Sequence, residues 1–288
     1  MEINEQKFQQ KKIAWIKRRG SKQILVGAIM VSLILIMVLV SVFWTPFDPN
    51  ATDLRARNVA PDLLQKAHKH ILGTDQLGRD MLSRMMTGGQ VSVMIALLSL
   101  VGTTIIGVVL GLLSGFYGKW VDSTASIIAD LRNAMPTTLL MIVALSILGT
   151  SIPMLVLLMS LVEWVTIFRT VRARTIVEKN KEYVMAAYCA GAKDSHVIFK
   201  YIFPNVISEV IVLATLLISS LVLLEASLSF LGVGVTRPYP SWGRMISDGN
   251  NYIYSSWWIS TVPALAIAVF VMGINFLGDG LQKKLKME

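Results

Sequence analysis

Cysteine is all but missing from this chain: Cys189 stands alone among 288 residues. No internal disulfide can form, and a free thiol is expected. Charge is sparse too, at 16% of residues against 54% hydrophobic, a balance with far more apolar surface than a soluble core of this length needs. Several chemistries are absent as well. No Gly-x-x-x-x-Gly-Lys-Ser/Thr loop occurs, since Gly118-Lys119 runs into Trp120 without the upstream glycine; the chain has no phosphate cradle and no bound cofactor is expected on it. The His-Glu-x-x-His and Gly-x-Ser-x-Gly patterns are missing, and no other reactive constellation replaces them, which argues against an enzyme. Histidine is limited to three residues. His68 and His70 lie two apart in a polar stretch, but Lys66 and Lys69 beside them repel a cation, so no metal site is assigned. His196 reads as a surface contact, and no internal repeat is evident.

Long apolar runs are what the chain has in quantity. Ile24 to Trp44 carries no charge and, at about 1.5 Å per residue, crosses a hydrocarbon core of roughly 30 Å. It is longer than the apolar region of a secretory signal and lacks a small-residue cleavage site, so a retained helix is expected. Val91 to Phe116 and Trp257 to Leu277 are uncharged, Ile152 to Phe168 holds only Glu163, and Val206 to Leu231 holds Glu209 and Glu225. A further span, third in order, is expected from near Ser123 to near Leu148, crossing Asp130, Arg132 and Pro136. The expected fold class is an all-α integral membrane protein with six transmembrane helices.

Six crossings place both termini on one side. Of the 27 Lys and Arg residues, 18 fall in the segments on the side of the termini and 8 on the other, so both termini are expected in the cytoplasm. The net charge of +9 follows from that topology and from the anionic inner leaflet; membrane lipid, not nucleic acid, is the partner it implies. The organisation reads as a basic cytoplasmic tail (1–23), a first transmembrane helix (24–44), an extracytoplasmic segment (45–90) and a five-helix core (91–288). That core contains a cytoplasmic loop at 171–204 and an outer loop at 232–256.

The cytoplasmic loop includes "AAYCAGAKDSHVIFKYIFPN", Ala186 to Asn205. Lys181 to Ala190 are good helix formers, Gly191 can supply a left-handed residue that ends a helix, and Asp194 can cap a second helix from Ser195. Ala186 and Ala187 would leave a low surface that another backbone can approach, with Tyr183 and Met185 adding apolar area. That is a shape for docking. An isolated Ala-Ala-x-x-x-Gly match is more often a solvated loop with an ordinary glycine turn.

In combination the motifs are more specific. Ala186, Ala187, Gly191 and Pro204 resemble the cytoplasmic "EAA" loop of permease subunits in binding-protein-dependent ABC importers, with Met185 where the signature glutamate would stand and Tyr201 and Phe203 in place of aliphatics. "HILGTDQLGRDMLSR" (His70 to Arg84) and "EASLSFLGVGVTRPYPSWGRMISDG" (Glu225 to Gly249) are similar to the dipeptide, oligopeptide and nickel branch, in its C-type permease. The resemblance runs from about Ile24 to the C-terminus. It implies a type I importer permease in a bacterial cytoplasmic membrane, moving di- or oligopeptides by alternating access, with nickel or a metal chelate as the alternative cargo. It also implies a second homologous permease in a heterodimer, two ATPase subunits that carry ATP and Mg, and an extracytoplasmic substrate-binding protein. The docking residues it marks are Tyr183, Met185, Ala186, Ala187, Gly191, Ala192, Asp194 and Pro204. An ion-coupled secondary transporter is the alternative of another class, kept open by Glu163 and Glu225.

A charge near the bilayer centre costs about 2.5–3.5 kcal/mol on insertion scales, so Asp130, Arg132, Glu163, Glu209 and Glu225 need partners or water. Arg169 and Glu209 can reach the inner interface, and Asp130 and Arg132 can pair across spans. Glu163 and Glu225 lie deeper and, with Trp242, are candidate pathway or gate residues. Glu225 is expected either to order the outer Gly232 to Trp242 turn or to meet a substrate amine. Asp80 to Met86 reads as amphipathic, suiting either a helix at the outer interface or a platform for the binding protein, and Trp257 and Trp258 read as interface anchors. Gly107, Gly111 and Gly115 form a ridge for close helix contact with a neighbouring span or the second permease.

Overall fold

The protein is described by a computed structural model covering residues 2–61 and 69–285, with side chains described for 21–61 and 69–284. His68 and Lys66 lie outside the described residues. Among the described residues the regular structure is helical, apart from one isolated antiparallel bridge between Thr74 and Asp80. Helix α1 (Glu2–Phe43) holds the first span in its Ser21–Phe43 part. Helix α2 (Met81–Tyr117) has 37 residues, about 55 Å at 1.5 Å each, and so extends well beyond a hydrocarbon core. The stretch from Asp80 to Met86 forms the cap and first turns of α2, continuous with the span. Asp80 instead caps α2, accepting from Ser83 N at 2.7 Å, and Met81, Ser83, Arg84 and Met86 are buried under the preceding loop.

The third crossing differs from the straight span expected over Ser123 to Leu148. Helices α3 (Lys119–Asn133) and α4 (Thr137–Leu148) meet at a bend of 91°. Pro136 explains the break: it has no N–H for a helical bond and drives Met135 out of the helical region. Helices α5 (Ile152–Glu163) and α6 (Val165–Lys179) make one 28-residue span interrupted at Trp164, so the first part of the expected 171–204 loop is still span helix. Then follow α7 (Glu182–Cys189), α8 (Asp194–Val197), a π-helical turn (Ile198–Ile202), α9 (Phe203–Phe230), α10 (Trp242–Asn250) and α11 (Trp258–Leu285). With the bent pair counted as one crossing, the candidate spans number up to six.

Small residues set the closest contacts. A Cβ on Gly107, Gly111 or Gly115 would lie 2.7, 2.7 and 2.6 Å from the Cβ atoms of Ile167, Val171 and Thr175. Both rows repeat every four residues, one helical ridge against another. The glycine ridge of α2 is therefore filled by α6 of the same chain. Gly27 likewise lets α1 touch α11, its Cβ position being 2.6 Å from Gly273 O. Two main clusters of buried side chains result. One joins α1, α2, α4, α5, α9, α10 and α11 around Trp242 and Phe270. The other gathers Phe116, Val171, Val184, Val197, Ile202 and Val206 and ties the α7–α8 loop to the ends of α2, α6 and α9. Lys283 Nζ donates to Gln23 Oε1 at 2.7 Å, joining the start of the first span to the last turn of α11.

Candidate functional site

The helix, turn, helix expected around Gly191 is present. Gly191 has φ +83°, its N–H donates to Tyr188 O at 2.9 Å, and Ala192 N donates to Ala187 O at 3.0 Å. These two bonds close a Schellman cap, which needs a left-handed residue where glycine is least strained. A Cβ at Gly191 would meet nothing within 4 Å, so the turn is open on its outer side. Asp194 does not cap α8 as expected. Lys193 takes that place and Asp194 opens the helix, leaving its carboxylate free to accept from Tyr188 Oη at 3.0 Å.

The two alanines divide between faces. Ala186 is exposed, whereas Ala187 is 7% exposed and packs inward with Val184. The expected low surface is therefore formed by Ala186, with Met185 and Tyr183 exposed beside it. Ala192 packs against the same inner cluster, and Pro204 sits exposed in the first turn of α9. Cys189 is an exposed free thiol, and His196 is exposed near Tyr201. Tyr183 donates to Glu178, and Asn205 Nδ2 donates to Tyr183 Oη at 3.3 Å. Burial first, and then that bond to the Glu178 carboxylate, push the Tyr183 phenol up to about 12, so it remains a donor. Lys181 also reaches Glu178 at 2.7 Å, and Lys179 Nζ donates to Phe116 O. The loop is fastened to its spans by polar and apolar contacts alike.

A second constellation occupies the opposite end. Glu225 is fully buried. Ser229 Oγ donates to its Oε1 at 2.7 Å and accepts from Val235 N at 3.0 Å, a relay that pins the turn after α9. Trp242 is fully buried, its N–H donating to Ser92 Oγ at 3.2 Å and its Nε1 to Met85 O at 3.0 Å. Of the two readings of Glu225, this geometry favours ordering the outer turn, since no face of the carboxyl is open to a substrate amine. Trp257 and Trp258 also separate: Trp257 is 54% exposed, but Trp258 is buried and donates to Thr74 O at 3.0 Å. Only the first remains an interface anchor, because the Thr74 loop covers the second.

A charged cluster beside this turn escaped the sequence reading. Asp75 accepts from Arg79 at 2.6 Å and lies 3.4 Å from Arg84; Asp248 lies 3.7, 3.8 and 3.3 Å from Arg79, Arg84 and Arg244. The i,i+4 spacings of Asp75 with Arg79 and of Arg244 with Asp248 were the available signal. His70 is paired with Asp80 at 2.9 Å. Among the described residues no group of three His, Cys, Asp or Glu side chains is placed to hold a metal ion.

Apart from Glu225, the ionisable span residues singled out in the sequence are paired across helices. Arg132 reaches Glu163 at 2.7 Å, Arg169 reaches Asp130 at 2.8 Å, and Arg172 and Arg174 engage Asp122 and Glu209. Arg169 and Glu209 thus hold protein partners.

Comparison with known proteins places this arrangement. The family described as "Binding-protein-dependent transport system inner membrane component" matches residues 107–286. A dipeptide transport system permease protein of Alkalihalophilus pseudofirmus is 33% identical over 272 residues, covering 94% of this chain and 88% of that one. A di/tripeptide transport system permease protein of Pseudomonas aeruginosa is 35% identical over 272 residues, with 94% and 90% covered. An oligopeptide transport system permease protein of Bacillus subtilis is 34% identical over 274 residues, with 95% and 88% covered. The chain belongs to the family of binding-protein-dependent transport system inner membrane components, and is a multi-pass permease subunit of a bacterial ABC importer.

Proposed function

We propose that this permease carries di- or oligopeptides as one half of a heterodimeric pore, and that its α7–α8 loop is the seat of a partner ATPase. The observation that supports the docking role most directly is the glycine-closed helix pair, joined by one buried cluster to the ends of α2, α6 and α9. Tyr183, Met185, Ala186, Gly191, Asp194 and Pro204 present its surface; Ala187 and Ala192 act from beneath, fixing α7 against the spans. A loop so fastened moves with its helices as a unit. Closure of two ATPase subunits around ATP and Mg would then rock the spans between inward-open and outward-open arrangements. ATP and Mg belong to those partners, and an extracytoplasmic binding protein delivers the cargo to the outer turn, which Glu225 and Trp242 order.

Peptide is favoured over nickel or a chelate because the relatives are named for dipeptides, di/tripeptides and oligopeptides. The test is co-expression with the ATPases and the second permease. A detergent-stable complex whose ATP hydrolysis rises with peptide-loaded binding protein is expected. Purified chain that drives uptake under an ion gradient, with no ATPase present, would reverse the reading.

A further inference from the structure

Exposed residues on a membrane bundle separate lipid-facing from wet surfaces. The outward face of α1 carries no charge from Gln23 onward and is apolar but for Ser32, with Leu25, Ile29, Leu33, Ile36 and Leu39 each about 60% exposed, as suits a lipid contact. The α3–α6 face is built otherwise. Its side chains include Asp130 at 72% and Arg169 at 53% exposure, with Arg172 at 34%, Asp122 at 22%, and Arg132 and Glu163 at 17% and 16%. Thr166 is exposed on the same helix. All lie within candidate spans, where charges facing hydrocarbon are costly and mark water-filled paths or protein cover.

Among these pairs Arg132 and Glu163 lie deepest. Glu163 is 11 residues beyond Ile152, roughly 17 Å along the span at 1.5 Å per residue, near the middle of the membrane. Both residues sit at helix breaks, Arg132 just before the 91° bend and Glu163 where α5 gives way to α6. Arg132 also donates to Val162 O and, at 3.1 Å, to Asn133 Oδ1. One guanidinium therefore straddles two interruptions.

We propose that Arg132 and Glu163 form a charge-pair station in the aqueous pathway. The pair parts to receive the ends of a short zwitterionic peptide, its carboxylate on the Arg132 guanidinium and its ammonium on the Glu163 carboxylate. The inference rests on the peptide reading above. Each side chain finds in the cargo the partner it loses, so separating them leaves no unpaired charge in the membrane, and the guanidinium fork suits a carboxylate. After passage the two re-pair.

The test uses the assembled complex in proteoliposomes, with uptake measured at saturating free dipeptide, its C-terminal amide and its N-acetyl form. The binding protein's own selectivity is common to all variants and cancels. Arg132→Gln is expected to lower the preference for free peptide over amide about five- to tenfold, leaving the preference over the acetyl form unchanged; Glu163→Gln does the converse. Unchanged ratios in both single variants would overturn the station. A second measurement stands independently of uptake: Asp130→Cys on a Cys189→Ser background should be labelled by a charged methanethiosulfonate in the nucleotide-free complex. Protection of that thiol with and without nucleotide also overturns it. Wild-type complex that imports a nickel chelate but no peptide refutes the cargo assignment, whatever the thiol result.

Discussion

Gly191 offers the sharpest perturbation because its two possible roles separate cleanly. Space cannot be the constraint, since a Cβ there meets nothing within 4 Å; backbone conformation can, because φ is +83°. An L-residue in the left-handed region costs about 1–2 kcal/mol, more for a β-branched side chain, and Asn tolerates it best. A cost of that size shifts the population of the closed turn by roughly 5- to 30-fold. The graded series Gly191→Asn, Gly191→Ala and Gly191→Val should therefore lose coupling in that order, with membrane insertion intact throughout. The assay is ATP hydrolysis stimulated by loaded binding protein in the reconstituted complex, alongside basal hydrolysis. Normal stimulation in Gly191→Val would refute the conformational role. Equal loss in the Asn and Val variants would show that any side chain obstructs docking, and the backbone account would fail.

Other expectations follow from the packing. Gly111→Ala puts a Cβ 2.7 Å from Val171 Cβ and 2.9 Å from Phe168 O, an overpacking worth about 1–3 kcal/mol; thermal unfolding in detergent should fall by several degrees, and an unchanged midpoint would contradict the α2–α6 contact. Glu225→Gln keeps an acceptor for Ser229 while Glu225→Ala does not, so proteolysis of the outer turn should rise in the Ala variant by more, with about 1–3 kcal/mol lost; equal effects would assign the role to charge instead. Asp248→Asn removes the carboxylate that Arg79, Arg84 and Arg244 share. A loss of about 3–5 kcal/mol is expected, read as lowered stability of the purified subunit, and a neutral result would remove the cluster from the account of the outer end. The Tyr183 phenol is held near 12, above its ordinary value near 10. Its contribution should be complete below pH about 10 and fade as pH rises through 12, which tyrosinate absorbance can follow; ordinary titration would contradict the bond to Glu178.

The spans and the α7 turn were legible because their signals are local: uncharged runs, helix formers ending at Gly191, a proline after them. Contacts between distant positions were not. Arg132 and Glu163 are 31 residues apart, Arg169 and Asp130 39, and Arg172 and Asp122 50, so pairing depended on how α3 lies against α5 and α6. The bend had its marker in Pro136, but a hydropathy window averages α3 and α4 and cannot resolve an angle. Ala186 and Ala187 look equivalent in sequence; the phase of α7, set by its start at Glu182, turns one outward and the other in. The same limit applied to Trp257 and Trp258, which only the position of the Thr74 loop distinguishes. For Asp194 the capping chemistry was sound, yet a bond to Tyr188 drew the carboxylate elsewhere.

Helix α2 is unbroken from Met81 to Tyr117, and each end is gripped, by Trp242 at Met85 O and by Lys179 at Phe116 O. A stiff strut held at both tips needs no chain of side-chain switches to carry news across the bilayer. Under the proposed rocking, tilt imposed at the Lys179 end would arrive at Trp242 as displacement in the opposite sense, and the tryptophan clasp would slip or follow. Any brace that immobilises Trp242 against its neighbours should stall the motor from the far side.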